Sequence, residues 1–182
     1  MPGTIPLEEE SLAGRLQEIG FRCRRCGECC RGSGENLVMV MPPEIRRLRA
    51  ATGRPSGDLV EPYPERVALA CGASLTFGWA LRRGCDGNCR FHAGDRCEVY
   101  PARPWICRTY PFLLDGEELR VSSCAGLGLP LGREEALDMA RDLLLRREEE
   151  RDEVERVRSV LSRVGIPAGG SLLVDSEGVH PL

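Results

Sequence analysis

Phe21-Arg22-Cys23-Arg24-Arg25-Cys26-Gly27-Glu28-Cys29-Cys30-Arg31 places four cysteines within eight residues. Thiols three positions apart on a tight turn can both reach one metal ion, because tetrahedral coordination with metal–sulfur bonds of about 2.3 Å needs sulfurs about 3.8 Å apart. The adjacent pair is different. Neighbouring side chains project to opposite faces of an extended chain, or about 100° apart around a helix. Cys29 and Cys30 are therefore expected to do different jobs, either ligating two separate centres or letting one of them reach into a larger cluster.

Working outward, the chain has 182 residues, which suits a single domain over 1–182. Its net charge of -3 provides no basic field for a nucleic acid partner, and all 25 of its basic residues are Arg. Met1 to Glu10 lacks the basic start and apolar run of a signal peptide, and no apolar run is long enough to span a membrane. A cytoplasmic setting is expected. In a reducing cytosol, ten cysteines in clustered spacings point to metal rather than to a disulfide framework.

Hydrophobic spacing predicts a helix from Leu7 to Gly20, with Leu7, Leu12, Leu16 and Ile19 on one side. After the Arg31–Gly34 loop come a short strand over Asn36–Met41 and a helix opened by Pro42 and Pro43 and stopped by Gly53. Leu75, Phe77, Trp79 and Leu81 alternate as one strand with a buried face. Hairpins are expected around Gly94-Asp95 and Asp115-Gly116. Residues 132–164 read as helical, with one stripe of Leu137, Ala140 and Leu144 and another of Val154, Val157, Leu161 and Val164. The wholly charged block Arg146–Glu153 between them is a solvated face or a turn between helices. Leu172–Val174 is a short strand-like run. The expected fold is α+β: a cysteine-rich, metal-stapled core of short strands, turns and helices over 21–126, then a helical C-terminal extension over 132–164.

The remaining cysteines are Cys71, Cys85, Cys89, Cys97, Cys107 and Cys124. Gly87-Asn-Cys-Arg-Phe-His, Arg96-Cys-Glu-Val-Tyr, Arg103-Pro-Trp-Ile-Cys-Arg-Thr-Tyr-Pro-Phe and Cys124-Ala-Gly follow the opening cluster in order. Together these segments resemble the YkgJ-type CxxCxxCC family of zinc- or iron-chelating cysteine-cluster proteins, over roughly Phe21 to Gly126. The resemblance implies eight metal-ligating cysteines: Cys23, Cys26, Cys29, Cys30, Cys89, Cys97, Cys107 and Cys124. It also implies the framing residues Tyr100, Arg103, Pro104, Arg108 and Pro111. Relatives commonly carry Pro where this chain has Ala125.

Eight thiolates divide into two four-ligand centres, in agreement with the argument from adjacent Cys29 and Cys30. Thiolate-rich centres carry net negative charge, and Arg22, Arg24, Arg25, Arg31, Arg90, Arg96, Arg103 and Arg108 all lie near candidate ligands. Arg103 and Arg108, set between prolines and a cysteine, are the preferred cofactor-binding residues. Spacing does not choose the metal: a cysteine triplet with a remote fourth member suits an iron–sulfur cluster, [4Fe–4S] being favoured, and paired short spacings suit zinc. Cys71 reads as a small core residue, Cys85 as evenly balanced, Glu28 as a surface carboxylate and His180 as inert. His92 could ligate, although a lone histidine more often makes a structural hydrogen bond.

Three functions are open. One is a metalloprotein with two cysteine-bound centres and a redox or protein-modifying role on a protein or small-molecule partner. A bacterial flagellin lysine methylase with a similar cysteine cluster suggests methyl transfer. The second is a zinc-stapled structural or protein-interaction module without catalysis. Thiol–disulfide exchange ranks last, because it needs only a pair of thiols.

Overall fold

The computed structural model describes residues 8–31, 37–94 and 96–182. Leu7, the loop residues 32–34, Asn36 and Asp95 of the expected turn lie outside them. The architecture is mixed α+β, with several small sheets and one long helix in the C-terminal part. Its contacts divide the chain into two compact units. The first contains the described residues up to Cys26 together with Trp105–Glu149; the second contains Gly27–Pro104 and Glu150–Leu182.

In the first unit, α1 (Glu9–Ile19) buries Leu12, Ala13 and Leu16. They pack with Phe21, with Phe112 and Leu119 of the hairpin β8 (Phe112–Asp115)–β9 (Glu118–Val121), and with Ala136, Ala140 and Leu143 of α5 (Arg133–Arg163). Burying each leucine stabilises the unit by about 1.5–3 kcal/mol. Phe21 meets Phe112 edge-on, with centroids 5.6 Å apart and planes at 87°. Small residues at 136 and 140 let α1 and the hairpin come close to α5. The charged block does not end the helix: α5 is continuous through Arg146–Glu153. Between α1 and α5, Arg133 pairs with Glu10 and Arg141 with Glu9. These are exposed pairs that contribute little.

The second unit has a sheet ordered β1-β5-β2, from Met39–Val40, Trp79–Leu81 and Val60–Pro62. Its other sheet is ordered β11-β10-β4-β3, from Gly178–Pro181, Ser171–Asp175, Ser74–Phe77 and Val67–Ala68. The single alternating strand expected from 75 to 81 is broken at Gly78, whose φ of 75° turns the chain from one sheet into the other. Alternation fails there too. Thr76 is buried beside Leu75 because its hydroxyl donates to the Tyr63 carbonyl.

Leu172–Val174 becomes the interior strand β10, parallel to β4 and antiparallel to β11. A strand paired on both sides and covered on its faces calls for an unbroken apolar run. Val157, Val160 and Leu161 of α5 pack on this sheet, whereas Val154 and Val164 of the expected stripe are exposed. The helix α2 (Pro42–Thr52) starts with its prolines in the first turn and with Glu44 Oε2 accepting the Met41 N–H at 2.8 Å. It ends at Gly53, in the left-handed conformation. A one-turn helix α3 (Ser56–Leu59), the small hairpin β6 (His92–Ala93)–β7 (Arg96–Cys97) and a 3-10 turn at Tyr100–Ala102 complete the unit.

Candidate metal centres

The eight cysteines fall four to each unit. Cys23, Cys26, Cys107 and Cys124 belong to the first; Cys29, Cys30, Cys89 and Cys97 belong to the second. The boundary between the two units falls between Cys26 and Gly27 in the opening stretch, rather than inside the Cys29–Cys30 pair. Gly27, at φ 74°, turns the chain into a 3-10 turn over Glu28–Cys30. In that turn the Cys30 side chain hydrogen-bonds the Cys29 sulfur, so the adjacent pair is kept together.

In the first unit, Phe21 bridges antiparallel to Leu127, and the Arg22 N–H donates to the Gly126 carbonyl at 3.0 Å. This lays the segment leading into Cys23 beside the segment leaving Cys124. Only glycine fits at 126, because a Cβ there would collide with the Arg22 carbonyl oxygen and lie 3.1 Å from the Phe21 ring. The Gly126 N–H points at Cys124 Sγ, 3.4 Å away. Cys107 lies on the short helix α4 (Trp105–Thr109). Arg108 grips Asp142 of α5 with both oxygens 2.9 Å from Nη2 and stacks over Trp105 at 4.7 Å. Arg146, buried on α5, donates to the fully buried Thr109 hydroxyl at 2.9 Å.

In the second unit, the Cys89 N–H donates to the Cys30 carbonyl at 2.8 Å, joining the 3-10 turn to the hairpin segment. Cys89 and Cys97 both feel the charge of Cys29, and Cys89 also that of Cys97. The hydrogen bond from Cys30 lowers Cys29 to about 6, with Arg103 acting in the same direction. Burial raises Cys89 and Cys97, opposed by the backbone N–H groups of Phe91 and Val99 respectively. Arg103 lies 3.5 Å over the Tyr100 ring and donates from Nε to the Tyr100 carbonyl at 2.9 Å. Its own carbonyl accepts from Arg47, which is 3.7 Å from the buried Glu44 carboxylate.

One local device recurs in both units. Cys89, Cys97 and Cys124 each receive a backbone N–H from the residue two positions on. Such N–H···S bonds stabilise thiolate over thiol and orient the sulfur, as metal-ligating thiols require. Cysteine thiols held by backbone N–H donors are, by donor chemistry, suited to zinc or iron. Among the described residues, no three His, Cys, Asp or Glu side chains are grouped closely enough to hold one metal ion.

A family model described as a putative zinc- or iron-chelating domain, CxxCxxCC, matches residues 22–126. The chain belongs to that family. The CxxCxxCC domain takes in all eight candidate ligands and ends at Gly126, so the Asp142 and Arg146 contacts come from outside it. No curated protein and no solved structure matches the chain.

Other residues are also placed. Cys71 is exposed in the turn between β3 and β4, where Gly72 N–H bonds the Leu69 carbonyl, so it is not a core residue. Cys85 is exposed in the 84–88 turn. Arg22, Arg24, Arg25, Arg31, Arg90 and Arg96 are exposed, and Arg31 pairs with Glu28 at 2.7 Å. His180 is 3.1 Å from Asp175 Oδ1, and Trp79 Nε1 donates to Oδ2 at 2.8 Å. Spacing carried no trace of that cluster, because its members are brought together only when β5, β10 and β11 are assembled. Among the described residues, no helix is long and apolar enough to cross a membrane.

Proposed function

We propose that this protein holds two cysteine-ligated metal centres, one on Cys23, Cys26, Cys107 and Cys124 and the other on Cys29, Cys30, Cys89 and Cys97. The observation that carries this reading is the four-and-four division of thiols between two compact units, each taking two from the opening stretch. Iron–sulfur, as [4Fe–4S], is our reading of these two all-cysteine sets, since four cysteine thiolates are the ligand complement of such a cluster. Bound there, such a cluster supplies one-electron redox chemistry. The chain's own contribution is to hold thiolates. Arg103 supplies positive charge facing Cys29 and Cys97, and Arg108 fixes the helix that bears Cys107. A redox or protein-modifying role, methyl transfer included, on a protein or small-molecule partner in the cytoplasm follows from this reading.

One observation favours the zinc-stapled, non-catalytic alternative. The hairpin bearing Cys97 has strands of only two residues, too short to persist unaided, so metal could be what holds it.

Anaerobic purification followed by elemental and sulfide analysis decides. Brown protein with iron and acid-labile sulfide supports the cluster reading, whereas colourless protein with about two zinc ions per chain sinks it. In either case Cys97→Ser and Cys107→Ser should each remove about half of the metal, and Cys71→Ser none. Loss of all or none of the metal from either ligand variant would overturn the two-centre assignment.

A further inference from the structure

We propose that His92 belongs to the Cys29–Cys30–Cys89–Cys97 centre as a hydrogen-bond donor, its Nε2–H directed to a metal-bound thiolate; this rests on the two-centre reading above. Three observations in the second unit converge on it. First, His92 Nε2 is enclosed by protein and has no hydrogen-bond partner among the described residues. Folded chains rarely leave such an atom unpaired, because a buried polar group without a hydrogen bond loses its hydration with nothing in return. Second, the ring tip occupies the space a side chain at position 27 would fill: a Cβ on Gly27 would collide with Nε2. That glycine carbonyl accepts the N–H groups of Cys30 and Arg31 at 2.8 and 3.0 Å, so the ring abuts the turn that carries Cys29 and Cys30. Third, His92 is paired with Cys97 in the β6–β7 register, and its N–H donates to the Cys89 carbonyl at 2.9 Å. Directly opposed residues of an antiparallel pair share a face, with Cβ atoms about 5 Å apart.

His92 is thus held through its backbone beside Cys89 and Cys97, with its ring against the turn and Nε2 without a partner among the described residues. Thiolate ligands concentrate negative charge on sulfur, and an N–H donor is what relieves it. The same bond would raise the reduction potential of an iron–sulfur centre or tighten a zinc centre. A purely structural histidine, by contrast, would already have its partner in the protein.

The test uses Co²⁺ alone as the probe, added anaerobically to the full chain carrying Cys107→Ser so that the other set is incomplete. His92→Leu should weaken Co²⁺ binding about 10–100-fold and shift the sulfur-to-cobalt charge-transfer band without reducing its intensity per metal. His92→Gln, which keeps an N–H donor, should recover part of the affinity. Unchanged affinity and band position in His92→Leu would overturn the proposal, as would a ligand-field spectrum showing that a coordinating nitrogen had been lost. Thermal unfolding of the metal-free variants checks folding: a stability loss with no change in affinity or band marks a packing role and also overturns it. If Cys97→Ser abolishes the cobalt signal while His92→Leu leaves it untouched, only the His92 assignment fails. If Cys97→Ser leaves the signal unchanged, the two-centre reading fails and His92 with it.

Discussion

Gly27 combines a left-handed backbone with a neighbour that leaves no room for a side chain. Gly27→Ala should destabilise the protein by about 1–2 kcal/mol from the backbone alone, and further from the collision with His92. His92→Ala in the same chain clears the collision. A double-mutant cycle by chemical denaturation should therefore show a coupling of about 0.5–3 kcal/mol, and strict additivity would refute the contact. Asp175 makes a separate prediction. Burial pushes its carboxyl up, but hydrogen bonds from Trp79, His180 and the Glu177 N–H outweigh burial and hold it below the ordinary carboxylate range. A depressed folded value means stability that is present above the unfolded value of about 3.9 and is lost as pH falls through the lower, folded one. Melting temperatures recorded down through that acid range should drop in the wild type and lose this component in Asp175→Asn. Parallel curves for the two proteins would count against it.

At the scale of elements, α4 is too short to persist alone and depends on α5 for its position. Arg146→Ala strips the buried Thr109 hydroxyl of a charged donor and should cost about 1–3 kcal/mol. It should also speed the reaction of Cys107 with a thiol reagent as α4 loosens, an effect that Glu10→Ala on the exposed surface should not produce. The interior strand β10 is the other sensitive element. Leu173, fully buried at its centre, should cost about 2–5 kcal/mol when cut to alanine, measured as a shift in denaturation midpoint. The exposed Val154 on α5 should cost almost nothing.

For the whole molecule, each proposed ligand set lies within one unit, so metal losses in Cys97→Ser and Cys107→Ser should add in the double variant; elemental analysis that shows one loss masking the other would tie the sets together. The α+β class, the helix α2 with its proline start and Gly53 stop, and the β8–β9 hairpin were all legible in the sequence, because each is written in local periodicity or turn chemistry, and the CxxCxxCC family was legible in its ordered cysteine motifs. What was not legible depends on partners far along the chain. Gly78 reads as an ordinary strand residue until β4 and β5 are seen to join different sheets, and the Cys29–Cys30 pair reads as divergent until Gly27 winds it into a 3-10 turn. Arg146 and Asp142 lie in a charged helix with nothing to mark them as supports for Cys107. The parallel pairing of β4 with β10 also has a bearing on biosynthesis. Ser171 emerges from the ribosome roughly a hundred residues after Ser74, on the order of ten seconds later at ordinary translation rates. For most of that interval one edge of β4 stays unpaired while Cys29, Cys30, Cys89 and Cys97 are already outside, so these thiols face the surroundings of the nascent chain before the sheet closes.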